Sequence, residues 1–146
     1  MRLFTIGFTQ KSAKQFFTLL KNNGVRTVID IRLNNTSQLA AFAKGNDLKY
    51  FLNDFCDINY IHDVNFAPTE SLLKDYKNKK ISWDEYEKVF YSVMRKRDIE
   101  NYILKNYANM DNICLLCSEV LPNQCHRRLV AQIFENTLTD VRVINL

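Results

Sequence analysis

The sequence has few of the residues that interrupt regular structure or mark special classes of protein. Its 146 residues include 3 glycines and 2 prolines, and no apolar run approaches the roughly 18 residues of a membrane helix. So little glycine and proline excludes collagen-like and low-complexity chains. Lysines at positions 11 and 14 follow a short apolar run, so the start of the chain does not resemble a secretion signal. We therefore expect mostly regular structure, no membrane association and a cytoplasmic location.

Cysteine is scarce as well, with four residues at positions 56, 114, 117 and 125. They are too few and too close together for a disulfide scaffold, which favours a reducing compartment. Apolar residues make up 47% and charged residues 25%, as in an ordinary globular protein, and the length predicts that residues 1–146 form one domain. The net charge of +4 permits a nucleotide or nucleic-acid partner without requiring one. None of these features predicts the oligomeric state.

Short β-branched runs alternate with helical patterns along the chain. Strands are predicted at residues 3–6, 25–31, 59–62, 113–117 and 141–144, and residues 34–45 are predicted to be a loop. Helices are predicted after Ser12, from Asp47, after Thr69, from the Ser82 capping box to about Tyr107, and from Pro122. Because strands separated by helices need crossover connections, the pattern predicts an α/β fold. We expect a three-layer sandwich, with a mostly parallel sheet of about five strands and helices on both faces.

Polar and sulfur-bearing side chains follow the carboxyl ends of the predicted strands, where open α/β sheets bind ligands. We predict Glu119, Cys125 and Asp30 as catalytic candidates. The residues predicted to bind the substrate are Gly7, Arg32, His62, Cys117, Ser118, His126 and Arg127. Asp30 and Arg32 share one strand face, so they form either a structural ion pair or a fork that binds an anion.

The cysteines raise two questions of chemistry, metal binding and nucleophilic catalysis. Cys114 and Cys117 are three positions apart on a strand and point to opposite faces, so they are not expected to ligate one ion, and Cys114 is predicted to lie in the core. If a helix begins near Pro122, Cys125 lies in its first turn, where the pKa of a thiol is lowered, and it is a weaker candidate for a nucleophile. Cys117, Cys125, His126 and His62 would make a set of residues able to bind zinc. Adjacent residues on a helix diverge by about 100°, however, which argues against one ion binding both Cys125 and His126. No metal site is therefore predicted, and the cofactor is unknown.

Several short motifs, taken in chain order, resemble those of a known family. They are Thr5-Ile6-Gly7-Phe8-Thr9, Asp30-Ile31-Arg32, Ser37 with Phe42, Tyr60-Ile61-His62, Leu115-Leu116-Cys117-Ser118-Glu119 and Cys125-His126-Arg127-Arg128. Across almost the whole chain they resemble the family called domain of unknown function 488, or DUF488. The resemblance implies a compact three-layer α/β domain whose motif residues surround one pocket, and it implies no established activity. Phe8 stands where the family usually has a histidine, which removes one candidate base or ligand.

Three hypotheses for the function follow from these patterns. The first is a small enzyme whose pocket binds a phosphate-bearing ligand, a nucleotide or nucleic-acid component, with Arg32 and Arg127 on the anion and Glu119 or Asp30 as acid or base. The second is a non-catalytic nucleic-acid-binding module that uses the basic residues 77–80 and 95–97. The third is a sensor domain that depends on a reactive thiol or a metal.

Overall fold

Five parallel strands form one sheet in the order β3-β2-β4-β1-β5 in the computed structural model, which describes residues 1–146. The strands are β1 Arg2–Gly7, β2 Thr27–Asp30, β3 Asn59–His62, β4 Ile113–Cys117 and β5 Arg142–Asn145. Nearly every side chain of β1, β2 and β4 is buried, as expected for apolar strands that are covered on both faces. β4 lies at the centre of the sheet, between β2 and β1.

Helices cover both faces of this sheet. One face carries α1 Ala13–Asn22 and α2 Gly45–Tyr50, and the other carries α3 Glu70–Lys77, α4 Trp83–Lys96, α5 Ile99–Asn106 and α6 His126–Thr137. Alternate residues of β4 enter opposite apolar clusters, so Cys114 packs beneath α1 and α2 while Leu115 packs beneath the other four helices. The predicted three-layer α/β sandwich with about five strands is confirmed.

Local sequence signals set the helix starts. The Ser12 hydroxyl accepts from the backbone N–H of Gln15, whose side chain accepts from the Ser12 N–H, and Ser82 and Glu85 make the same reciprocal pair. Thr69 caps α3 in the simpler way, through one hydrogen bond from the Leu72 N–H at 3.2 Å. These caps confirm the predicted starts of α1, α3 and α4.

The single long helix predicted from Ser82 to about Tyr107 is wrong, because the chain turns between α4 and α5. Asp98 has a left-handed backbone conformation, with φ of 53°, which ends the α-helical hydrogen bonding. The guanidinium of the preceding Arg97 donates to the carbonyl oxygens of Asn65 at 2.8 Å and Ala67 at 2.6 Å. The turn therefore separates two helices, and Arg97 joins it to the segment after β3.

Other boundaries also differ from the sequence-based predictions. The last helix begins at His126 instead of near Pro122, because residues 118–124 form bends and a turn in which the Cys125 N–H donates to the Pro122 carbonyl. The predicted loop 34–45 contains the 3-10 turns Gln38–Ala43, and the helix predicted from Asp47 begins at Gly45 and continues into a π-helical turn at Phe51–Phe55. No helix has the length and apolar character that crossing a lipid bilayer requires.

Candidate functional site

A cavity of about 260 Å³ opens at the carboxyl edge of the sheet, where β4 ends. Its floor contains Cys117 at the end of β4 and Cys125 and His126 at the start of α6. Ser118 and Glu119 line it from the loop between those elements, and Arg32 lines it from the end of β2. The sheet topology therefore brings together one end of the central strand and one helix start, as the strand-end prediction expected.

The three floor residues form one tight group. The ligating atoms of Cys117, Cys125 and His126 all lie within 4.8 Å of one another, and all three residues are buried. His126 Nε2 lies 2.8 Å from the Ile31 carbonyl oxygen, to which its N–H donates. Nδ1 therefore keeps its lone pair, and it lies 3.4 Å from Cys117 Sγ. The Ile31 carbonyl thus fixes both the orientation of the ring and its tautomer.

The backbone conformation of Cys125 explains how two adjacent residues reach the same point. Cys125 precedes α6 and is extended, with φ of −137° and ψ of 138°, while His126 is the first helical residue. The 100° divergence expected of neighbours within a helix does not apply to this pair. The prediction that Cys125 lies in the first turn of the helix is therefore wrong, and the expected divergence does not keep one ion from binding both residues.

The two thiols of this group differ in acidity. A hydrogen bond from the Cys125 thiol lowers the pKa of Cys117 despite its burial, with support from the backbone N–H groups of Ser118 and Glu119 and from the charge of Arg127. The same hydrogen bond and burial raise the pKa of Cys125. The prediction of a lowered pKa for Cys125 is therefore wrong, and the more acidic thiol is that of Cys117.

Aromatic rings form one wall of the cavity. Trp83 stacks on Tyr86 with ring centroids 5.0 Å apart and an interplanar angle of 17°, and Tyr76 packs beside both. Burial and the neighbouring thiols of Cys117 and Cys125 raise the pKa of Tyr86, so its hydroxyl stays neutral. This hydroxyl makes no hydrogen bond within the chain. The sequence patterns do not predict this wall, because aromatic residues at helical spacing are typical of a core.

The polar groups at the end of β2 form a buried network, and Arg32 belongs both to this network and to the cavity lining. Asp30 is 0% exposed and accepts hydrogen bonds from Arg32 Nε at 2.8 Å, Arg32 Nη2 at 2.6 Å and the Tyr60 hydroxyl at 2.6 Å. Arg32 Nη2 also donates to the Ala43 carbonyl at 2.7 Å. Burial alone would lower the pKa of Arg32, but its bonds with Asp30 outweigh that effect and raise it. The contacts support the structural ion pair, and they leave Nη1 of Arg32 without a hydrogen bond within the chain.

His62 lies next to this network and is itself exposed. It ends β3 and pairs with Asp30 across the sheet, and its Nε2 lies 2.7 Å from the Arg32 carbonyl oxygen. The predicted substrate-binding residue His62 and the predicted catalytic residue Asp30 do not line the cavity. Both support the backbone between β2 and the cavity.

Arg127 and Gly7 hold the loop between β4 and α6. Arg127 is 1% exposed, and its guanidinium donates to the carbonyl oxygens of Glu119 and Val120, the latter at 2.9 Å. A Cβ atom at Gly7 would collide with the Glu119 carbonyl and with Arg127 Nη1, so only glycine allows the loop to pass this close. Neither residue lines the cavity, which differs from their predicted role in binding substrate.

Six of the ten predicted site residues therefore line one cavity. They are Arg32, Cys117, Ser118, Glu119, Cys125 and His126. The remaining four, Gly7, Asp30, His62 and Arg127, surround it as support. Sequence reasoning missed the aromatic wall, and it assigned Lys77, which ends α3 and also lines the cavity, to a nucleic-acid-binding surface.

Comparison with known families agrees with the motifs. The sequence model of the family described as "Domain of unknown function DUF488" matches residues 12–134 of the 146-residue chain. The chain belongs to the DUF488 family. The match includes all of the cavity-lining residues of this DUF488 chain. No curated protein and no solved structure shows a significant match.

Proposed function

We propose that this DUF488 chain is a small-ligand enzyme whose substrate carries a planar ring and a phosphate group, as a nucleotide or a nucleic-acid component does. The observation that carries the proposal is the combination of an aromatic wall and a floor of two thiols and an imidazole in one cavity. Inert structural cavities are apolar, whereas ligand sites combine apolar walls with a few convergent polar groups. The reducing cytoplasm predicted from the sequence suits four free cysteines.

The wall provides the surface for a planar ring. Trp83 and Tyr76 are only half-buried, so part of each ring remains free for contact. Stacking a base on an aromatic side chain contributes about 1–3 kcal/mol. A cavity of about 260 Å³ is small for a ligand site, and it fits one base or nucleoside better than a longer fragment. We therefore favour a mononucleotide over an oligonucleotide as the substrate.

Two cations are placed to receive a phosphate. Lys77 is exposed and lines the cavity. Arg32 uses Nε and Nη2 in its bonds to Asp30 and Ala43, and Nη1 makes no hydrogen bond in the chain. A guanidinium that is already fixed by a carboxylate can donate from its free nitrogen without losing rotamer entropy. Glu119 is the carboxylate among the lining residues, and we assign it the proton transfers.

The proposal is tested by ligand-dependent thermal shifts and calorimetry on the full chain. Nucleoside phosphates should raise Tm more than nucleosides or inorganic phosphate alone, since only they use both the wall and the cations. Trp83→Leu should weaken nucleotide binding about tenfold, equivalent to about 1.4 kcal/mol of stacking. Lys77→Ala should weaken binding of nucleotides but not of nucleosides. The matched controls, Tyr50→Leu and Lys105→Ala, change exposed residues away from the cavity and should leave affinity unchanged.

Two results would contradict this function. One is the absence of any thermal shift with all nucleotides, and the other is a Trp83→Leu variant that is folded and binds nucleotides as tightly as the wild type.

A nucleic-acid-binding module remains the second candidate, because exposed lysines at positions 77, 79 and 80 continue from the cavity mouth. The other basic cluster supports it less, since the Arg97 guanidinium is already bound to backbone carbonyls. Binding of oligonucleotides but not mononucleotides, lost steeply as salt is raised, would favour this module over the enzyme.

A further inference from the structure

We infer that Cys117, Cys125 and His126 form a zinc site with one open coordination position that faces the cavity. Two sulfurs and one imidazole nitrogen are the ligand types that zinc prefers, and three protein ligands with a fourth open position are typical of catalytic zinc. The three residues come from the end of β4 and the start of α6, and they converge without any carboxylate in the group.

The distances agree with tetrahedral coordination. With Zn–S bonds of about 2.3 Å and Zn–N bonds of about 2.05 Å, a tetrahedral angle separates the sulfur and nitrogen by about 3.6 Å. Cys117 Sγ lies 3.4 Å from His126 Nδ1, and the three ligating atoms are all within 4.8 Å of one another. The Cys117 Sγ–Nδ1 distance is thus close to the tetrahedral value, but Sγ also lies 3.9 Å from Nε2, so it sits beside the ring and off the direction of the Nδ1 lone pair. An ion would occupy this group after the thiol side chains rotate toward Nδ1.

The surroundings of His126 also match those of a metal ligand. Histidines that bind zinc through one nitrogen usually donate the other N–H to a carboxylate or a backbone carbonyl. His126 Nε2 has such a partner in the Ile31 carbonyl oxygen at 2.8 Å, which leaves Nδ1 as the nitrogen free to bind an ion. The ring is further packed against Phe90, with centroids 5.9 Å apart. These contacts hold the ring in place, so binding an ion requires the thiols to move toward Nδ1.

The open position faces the cavity because all three ligands line it. Water would occupy the position in the free protein, and a donor atom of a bound small molecule could replace it. The zinc site itself depends only on the three ligands, whereas its use in catalysis rests on the proposed function. The two hypotheses therefore make separate predictions.

The chain contains a matched control for each thiol. Cys114 is on the same strand as Cys117 and is equally buried, but it lies in the apolar cluster on the opposite face of the sheet. Cys56 lies outside the group at the end of the π-helical turn. Removing either should leave the metal content unchanged.

The test is metal analysis of the untagged full chain, purified under reducing conditions without chelators. The wild type, Cys114→Ser and Cys56→Ser should each carry about one zinc ion per chain, and Cys125→Ser and His126→Asn should carry less than a tenth of that amount. Circular dichroism and Tm of each variant separate loss of metal from loss of folding. In wild-type protein reloaded with Co²⁺, thiolate-to-cobalt charge-transfer absorption and tetrahedral d–d bands should appear, and the d–d bands should shift when imidazole is added to fill the open position.

Three outcomes would overturn the site. They are wild-type protein that is folded and takes up no zinc at micromolar concentrations, equal zinc content in Cys125→Ser and Cys114→Ser, and a Cys117–Cys125 disulfide in place of metal in the reduced preparation. Cobalt d–d bands that do not shift when imidazole is added would show that there is no open coordination position. Nucleotide binding that persists in zinc-free wild-type protein would support the proposed function alone, and zinc without any nucleotide binding would support the metal site alone.

Discussion

The ends of β2 and β4 lie side by side at the same edge of the sheet, yet they use their polar side chains in different ways. At the end of β2, Asp30 is fully buried and its oxygens are occupied by Arg32, Tyr60 and Asn35. At the end of β4, Cys117 contacts the buried Cys125 and His126, and all three face a cavity.

The difference shows how a buried ionic group and a binding group can be told apart. A buried charge is very costly unless partners within the chain satisfy it, so Asp30 has to be enclosed by donors. Thiols and a neutral imidazole are less costly to bury, so they can keep unused bonding capacity toward a cavity. Polar residues at both strand ends looked equally functional in the sequence. What distinguishes them is how many of their hydrogen-bonding atoms already have partners within the chain.

The largest expected effect tests this contrast through stability. Asp30→Ala leaves the Arg32 guanidinium buried without its carboxylate and should lower the free energy of unfolding by about 3–5 kcal/mol. Cys125→Ala, measured in the presence of a chelator, should cost about 1 kcal/mol, as for the loss of one buried methylene-sized group. Urea unfolding of both variants measures the difference. Equal costs would mean that the β4 end is as much a structural network as the β2 end.

A smaller effect is expected at Gly7, the end of β1, against which the loop after β4 packs. Gly7→Ala places a methyl group against the Glu119 carbonyl and Arg127, so the loop must move, and we expect a loss of about 1–3 kcal/mol together with weaker nucleotide binding. Gly24→Ala is the comparison, since Gly24 has φ of 66° with nothing near its missing Cβ, and it should lower stability but leave binding intact. A Gly7→Ala variant that binds nucleotides normally would show that the position of this loop does not affect the binding site.

The smallest effect compares one tyrosine from each region. Tyr60 donates to Asp30, so Tyr60→Phe should cost about 1.5 kcal/mol at neutral pH, whereas Tyr86→Phe should cost little because its hydroxyl has no partner in the chain. Burial raises the pKa of both tyrosines, with Asp30 adding to the effect for Tyr60 and the cavity thiols adding to it for Tyr86.

The direction of the pH dependence follows from those raised pKa values. Above the pKa of an unfolded tyrosine, about 10, the unfolded chain loses the phenolic proton while the folded chain retains it, so stability falls as pH rises. The stabilising contribution is fully present below pH about 10. Unfolding free energies measured from neutral to alkaline pH should decline less steeply in either Phe variant than in the wild type. Unchanged slopes in both variants would contradict the raised pKa values.

Much of the fold could be predicted from the sequence because its signals are local. The capping residues Ser12 and Ser82 and the apolar strand 113–117 each act within a few positions of the chain. The break at Asp98 could not be predicted in this way, since the spacing of apolar residues continues through it. The contacts of this turn are long-range, because Arg97 binds carbonyl groups 30 and 32 positions earlier in the chain.

The candidate site was predictable in part for the same reason. The rule that ligands bind at strand ends identified Cys117, Cys125 and His126, but it could not distinguish residues that face the cavity from residues that support it. Arg127 was assigned to the ligand because its charge is visible in the sequence, while the loop carbonyls that occupy it are not. The Trp83 wall was missed because aromatic residues at helical spacing look the same whether they face a core or a cavity.

The position of β4 at the centre of the sheet has a consequence for how the molecule opens. Displacing Cys117, the floor residue on β4, would require β4 to separate from both β1 and β2, which amounts to global unfolding. The wall is carried by α3 and α4, which can detach locally while every strand ladder remains intact. Cys117 is thus displaced only when the whole protein unfolds, whereas the wall can open locally at a lower free-energy cost. A molecule can therefore enter the cavity without displacing this thiol.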